Sequence, residues 1–158
     1  AATAFIRRLD ALTGKEVWKV DVPAKWDQFE RGGVKASPVV GEHSISDLVI
    51  FTVNMTGDGG GATMLALNKQ TGQEVWKHQL GGRSISSPVA VYTEGGQAYI
   101  IQADEKGVLT LLDGATGQAL HTLDLGGSIE GSPAVYNDVL VIGTNDKDNN
   151  FLYGIRLE

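Results

Sequence analysis

The sequence predicts an all-β fold: a partial β-propeller of four-stranded antiparallel blades, about three blades plus flanking strands, half of a larger or dimer-closed ring. Three observations carry that expectation. One segment recurs three times, as "LDALTGKEVWK" (9–19), "LNKQTGQEVWK" (67–77) and "LDGATGQALHT" (112–122). A Ser-Pro pair follows each recurrence (Ser37-Pro38, Ser87-Pro88, Ser132-Pro133), and each pair leads towards an apolar run. Gly supplies 21 of the 158 residues while Pro supplies 4 and Cys none. That Gly share is about twice ordinary usage, so tight turns rather than disulfides punctuate the chain.

The spacing sets the repeat length. Thr71 and Thr116 stand 45 residues apart, Thr13 and Thr71 stand 58 apart, and the excess falls in two places, 8 residues before Ser37 and 5 after Val53. A period of about 40–50 residues holding several short strands is the signature of propeller blades. One such sheet cannot bury both faces alone and needs copies of itself on either side.

Within a unit, strand one begins at Ser-Pro, where the missing N–H of Pro costs little. Strand two is an apolar run: "LVIFTV" (48–53), "AYIIQA" (98–103) and "VLVIGT" (139–144). Runs without polar alternation predict burial on both faces. Strand three is "TMLAL" (63–67), "GVLTLL" (107–112) and "FLYGI" (151–155), and strand four is of the "EVWKHQL" type. The turn between strands three and four is Asp/Asn-x-x-Thr-Gly, in which the Asp or Asn side chain bonds back to the turn and Gly supplies a positive φ. Asn137-Asp138 predicts a two-residue hairpin turn between strands one and two of the last unit. In chain order this gives strands three and four of one blade (5–22), a blade at 36–80, a blade at 85–125, and strands one to three of a last blade (130–158), thirteen strands in all. Propellers need about 4–8 blades to close. Two arrangements are open: a missing propeller half elsewhere in a larger protein, or a homodimer in which "KEVWKVDV" of one copy completes the blade ending "FLYGIRLE" of the other.

Charge and composition exclude several function classes. The net charge is −6 with no basic stripe, against nucleic-acid binding. No apolar run approaches the roughly 18 residues of a membrane helix. The start, "AATAFIRRLD", lacks the apolar segment of a signal peptide and reads as mature or truncated sequence. Without Cys there is no thiol catalysis, thiolate metal site or disulfide. No G-x-S-x-G nucleophile motif occurs. His43, His78 and His121 fall on a turn and on two different fourth strands, so no catalytic residue is assigned.

Strand order distributes the loops between two faces. Turns joining strands one to two and three to four share one face, and all three Thr-Gly turns lie there. Connections from strand four to the next blade, and from strand two to three, share the other face. Both length excesses are on that second face: "VPAKWDQFERGGVK" (22–35) and "NMTGDGGGA" (54–62), with "NDKDNN" (145–150) beside them. Irregular loops on a regular scaffold are where binding concentrates. Trp26 and Phe29, aromatics in a polar loop, are the expected anchors for a peptide, sugar or partner protein. Asp27, Arg31, Lys35, Arg83 and Glu130 complete the expected rim site as orienting charges. Asp146, Asp148 and Asn150 are secondary candidates for calcium, since they alternate oxygen ligands. They lack the Gly and terminal Glu of a helix-loop-helix calcium loop, and the main expectation is no metal.

The pattern Ala/Leu-x-Asp-x-x-Thr-Gly-x-x-x-Trp resembles the docking signature of quinoprotein-type (PQQ-repeat) β-propellers, over nearly the whole chain. That family includes quinoprotein alcohol dehydrogenases and the outer-membrane β-barrel assembly lipoprotein. The second copy fits best, with Ala66, Asn68, Thr71, Gly72 and Trp76. The first has Arg8 where a small residue is usual, and the third has His121 in place of Trp. The resemblance implies that Trp18 and Trp76 pack between adjacent blades and that the protein is extracytoplasmic. It implies two functions. The first is a non-enzymatic scaffold binding a protein or extended ligand on its irregular loop face. The alternative is a portion of a PQQ-dependent dehydrogenase propeller, with pyrroloquinoline quinone and calcium as cofactors. Those dehydrogenases hold the quinone with a divalent-ion cage, a catalytic Asp, a stacking Trp and often a vicinal Cys pair, and this sequence has no Cys.

Overall fold

The computed structural model describes residues 3–25, 32–56, 60–148 and 150–157. Among them are fourteen strands and one short 3-10 turn, His43–Ile45. All strand pairings are antiparallel.

The strands form four sheets in chain order. The first holds β1 (Thr3–Leu9) and β2 (Glu16–Pro23). The second holds β3 (Gly33–Val34), β4 (Val39–Val40), β5 (Leu48–Asn54), β6 (Ala62–Asn68) and β7 (Glu74–Gln79). The third holds β8 (Val89–Tyr92), β9 (Ala98–Ala103), β10 (Val108–Asp113) and β11 (Ala119–Asp124). The fourth holds β12 (Ala134–Tyr136), β13 (Val139–Gly143) and β14 (Leu152–Arg156). This is an open, partial β-propeller. The one strand beyond the thirteen expected arises because the innermost strand of the second sheet is split. β3 pairs with the end of β5 (Val34 opposite Val53) and β4 with its start (Val39 opposite Ile50). Ser37-Pro38 lies between them, and Pro38 has no N–H to continue a ladder.

The core is a set of three slabs, each between neighbouring sheets. Ala4, Ile6, Trp18, Val20 and Val22 meet Val49, Phe51, Val53, Leu65 and Leu67. Ile50, Met64, Ala66 and Trp76 meet Ile100, Leu112 and Ala90. Ile101, Ala103 and Leu109 meet Leu140, Ile142, Val135 and Ile155. This explains the apolar runs. Successive residues of β5 point to opposite faces, and both faces are covered, so Ile50 and Val53 are each 0% exposed. The fourth sheet is covered on one side only, and β13 accordingly alternates: Leu140 and Ile142 are buried while Val139 and Val141 are exposed.

The repeated turn is built from its own side chains. Asp113 Oδ1 accepts hydrogen bonds from the N–H of Ala115 (3.0 Å), the N–H of Thr116 (2.9 Å) and the Thr116 hydroxyl (2.9 Å). Thr116 Oγ1 in turn accepts from Gln118 N–H at 3.3 Å. Asn68 with Thr71, and Asp10 with Thr13, repeat the pattern. The bonds from Thr13 hold the Asp10 carboxyl below the usual Asp range. Gly14, Gly72 and Gly117 have φ of +67°, +74° and +70°, where a β-carbon is disfavoured. Gly72 and Gly117 are confined a second time. A β-carbon on Gly72 would stand 2.9 Å from Trp18 Cδ2, and one on Gly117 would stand closer still to the Trp76 ring. Each indole N–H donates to the next sheet's turn, Trp18 to Lys69 O and Trp76 to Gly114 O, both at 3.0 Å. Trp and Thr-Gly are thus two halves of one joint between adjacent blades. His121, at the third Trp position, is exposed on β11.

Candidate functional site: the loop face

Backbone hydrogen bonds outside the strand ladders define the two faces. On one, the Thr-Gly turns meet the hairpins joining strands one and two: Gly114 N–H donates to Ala98 O, and Lys69 N–H to Asp47 O. On the other, each inter-blade connection meets a strand-two end: Lys25 N–H donates to Met55 O, Glu105 N–H to Arg83 O, and Asn145 N–H to Ser128 O. The irregular loops belong to this second face.

A buried polar network anchors their feet. Asn54 and Ser84 exchange two bonds, Asn54 Nδ2 to Ser84 O (2.6 Å) and Ser84 N–H to Asn54 Oδ1 (2.7 Å). Gln102 Nε2 donates to Ser86 O, Ala103 O and Ser84 Oγ, at 2.9 to 3.0 Å. Gln102 Oε1 accepts from the Thr52 hydroxyl of the neighbouring blade at 2.7 Å. All these side chains are buried, and a buried polar network that is satisfied rigidifies its surroundings. Two residues after Gln102, at the end of β9, Asp104 does the same work, accepting from Gly82 N–H (3.0 Å), Lys106 N–H (2.9 Å) and Val108 N–H (3.2 Å). Asn54, Gln102 and Asp104 were not among the residues predicted for this face. The signal for Asn54 and Asp104 was present in the sequence, since each apolar second strand ends in Asn or Asp, at Asn54, Asp104 and Asn145; Gln102 carries no such signal.

Towards the axis, the Ser-Pro segments are strung together. Ser37 N–H donates to Ser87 Oγ (3.0 Å), and Ser87 N–H to Ser132 Oγ (2.9 Å). This belt holds three successive inner strands in one register. Lys35 and Glu130, each two residues before its serine, therefore occupy equivalent places on blades separated by the third sheet, and both are exposed. Arg83 is partly buried and ion-paired, its Nε 2.9 Å from Glu105 Oε2. Trp26, Asp27, Phe29 and Arg31 lie outside the described residues.

The oxygen-rich "NDKDNN" segment makes turn bonds. Asn150 Oδ1 accepts from Asp146 N–H (3.2 Å), and Asp146 Oδ1 from Lys147 N–H. Among the described residues no group of three or more His, Asp or Glu side chains is placed to hold a metal ion. Pyrroloquinoline quinone with calcium would need a carboxylate cage and an indole free to stack. Both described indoles are engaged in the inter-blade joints on the opposite face, so the described residues do not fit that group. The histidines stand apart. His43 packs edge-on against Tyr92 at 5.0 Å, and His121 is exposed. His78 is partly buried on β7; desolvation lowers its pKa, and a bond to the Gly117 backbone opposes this.

The comparisons with known proteins agree with this geometry. Residues 2–155 match the family model described as outer membrane protein assembly factor BamB. Among solved structures, BamB from Moraxella catarrhalis superposes with a TM-score of 0.63 at 22% identity, over 97% of this chain and 40% of that one. This chain thus spans well under half of that protein's length. The computationally designed Ika4 protein gives a TM-score of 0.59 at 18% identity, over 98% of this chain and 80% of its own. The quinohemoprotein alcohol dehydrogenase ADHIIG of Pseudomonas putida HK5 gives 0.57 at 19% identity, over 80% of this chain and 19% of its own. No protein of curated function matches the chain by sequence.

Proposed function

The chain belongs to the family of the outer membrane protein assembly factor BamB, and from that premise we propose that it is a non-enzymatic propeller scaffold whose loop face docks a partner protein in an extracytoplasmic compartment. The observation that supports this reading most is the contrast between the two faces. The Thr-Gly face consists of short turns closed on their own side chains. The loop face carries the long connections on a rigid buried footing of Asn54, Ser84, Gln102 and Asp104. Long loops on rigid supports suit recognition. Trp26 and Phe29 are the proposed anchors, with Asp27, Arg31, Lys35 and Glu130 orienting, and Arg83 acting through its pair with Glu105. The family name supplies the class of partner: another component of outer-membrane protein assembly.

Site-specific photocrosslinking in cells tests this. A crosslinker at position 26, 29 or 35 is expected to capture an envelope protein, whereas one at Leu12 or Gln70, on the Thr-Gly face, is not. Trp26→Ala is expected to weaken capture with little change in melting temperature. Capture from the Thr-Gly positions alone, or a large loss of stability on Trp26→Ala, would overturn the assignment.

A further inference from the structure

The third Thr-Gly turn opens with Asp113-Gly114, whereas the first two open with Asp10-Ala11 and Asn68-Lys69. Packing demands the difference, because a β-carbon on Gly114 would stand 2.9 Å from both Cβ and O of Ala98. The residue that packing selects is also the one that makes its neighbour labile. Asp before Gly is the pair most prone to cyclise along the backbone, since no β-carbon shields the glycine nitrogen from the aspartyl carboxyl. The other Asp-Gly pair of the chain, Asp58-Gly59, lies outside the described residues. At the third turn both reacting groups are engaged elsewhere. Gly114 N–H donates to Ala98 O at 2.9 Å, and Gly114 O accepts the Trp76 indole N–H at 3.0 Å. Asp113 Oδ1 is committed forward along the turn, to Ala115 N–H, Thr116 N–H and the Thr116 hydroxyl. Asp113 is only half-buried, so water reaches it.

We propose that Asp113-Gly114 is a latent isoaspartate site, kept shut by the joint to the second blade and reactive when that joint opens. Once Gly114 leaves Ala98 and Trp76, its nitrogen bonds to Asp113 Cγ and gives up its proton, and a carboxyl oxygen departs as water. The product is a succinimide. Water then adds at the main-chain carbonyl carbon of Asp113 and breaks its old bond to Gly114. The chain now runs through Cγ and carries a free α-carboxylate, with no net change in atoms and no oxidant or reductant. The extra main-chain carbon moves the acceptor away from Ala115 and Thr116, so the turn does not re-form and the joint stays weakened. Asp10 and Asn68 make the same turn bonds, but a β-carbon on the next residue hinders attack there. The site is on the Thr-Gly face and does not depend on the function proposed for the loop face.

The test is prolonged warm incubation of the whole chain at neutral pH. Tryptic digestion follows, and then labelling with an isoaspartyl methyltransferase and radioactive S-adenosylmethionine. Cleavage after Lys106 and Lys147 isolates Asp113 from Asp58. Label in fragment 107–147 should appear at least about thirtyfold more slowly than in a free peptide of residues 107–122, because the reaction waits for local opening. Trp76→Phe keeps the ring but removes the bond to Gly114 O, and should speed labelling about fivefold. Gln102→Leu weakens the fold away from this joint, and should leave the rate close to that of the unaltered chain. Asp113→Glu, whose longer side chain does not close the ring, should remove the label. Labelling of the folded chain as fast as of the peptide overturns the proposal, as does label that survives Asp113→Glu. An unchanged rate in Trp76→Phe overturns it too. So does an equal rise in Trp76→Phe and Gln102→Leu, because the reaction would then run through global unfolding and not through the joint.

Discussion

Removing Trp76 should open the joint between the second and third blades. The side chain is 6% exposed, its ring lies against Gly117, and its N–H reaches Gly114 O at 3.0 Å. Trp76→Ala loses the transfer energy of a large aromatic group and leaves a cavity, together about 3–5 kcal/mol. The abandoned Gly114 carbonyl accounts for about 1 kcal/mol of that sum. In a chain of this length each kcal/mol moves the melting temperature by about 2–4 °C, so the expected fall is about 6–20 °C. Trp18 makes the same bond from a less buried position; scaled by buried area, Trp18→Ala should cost somewhat less. Urea unfolding at a constant slope measures both. The glycine side of the joint gives an internal control. Gly117→Ala adds a β-carbon at a φ of +70° and against the indole, costing about 1–2 kcal/mol for the backbone and about 1–3 more for overpacking. In the Trp76→Ala background only the backbone part should remain, so the two changes should couple by about 1–3 kcal/mol. If Trp76→Ala does not fold, Trp76→Phe keeps most of the ring and should lose about 1–2 kcal/mol. A cost for Trp76→Ala below about 1 kcal/mol, or fully additive effects at 76 and 117, would refute the joint.

Two further outcomes are expected. Gln102→Leu keeps the volume but orphans the Thr52 hydroxyl, so urea unfolding should show a loss of about 1–3 kcal/mol; a neutral result would mean that the network adds nothing to the stability of the loop face. The His78 pKa is lowered from 6.5 by desolvation, so the unfolded chain takes up that proton first as pH falls. Stability is therefore lost progressively below about pH 6.5 and regained on raising the pH. His78→Gln should flatten that part of the urea-midpoint profile between pH 7.5 and 5, and an unchanged slope would count against it.

The repeat was readable because its defining turn is local. Asp or Asn, Thr and Gly at fixed offsets close bonds within five residues, and any chain carrying them makes the same turn wherever it lies. The apolar second strands were readable for a related reason, since burial on both faces removes the polar alternation. The resemblance further implied that Trp18 and Trp76 sit between blades. What the residues could not disclose was the partner of each group across a blade boundary. Thr52 meets Gln102 at a separation of 50 residues, Asn54 meets Ser84 at 30, and Gly82 meets Asp104 at 22. Arg83, read as an orienting charge, pairs with Glu105. By itself the sequence determined the repeat, its turns and its fold class, all set by short-range bonds and apolar periodicity. Only the tertiary structure decided which glycine meets which indole and which polar groups are buried in pairs, because those depend on how whole sheets stack.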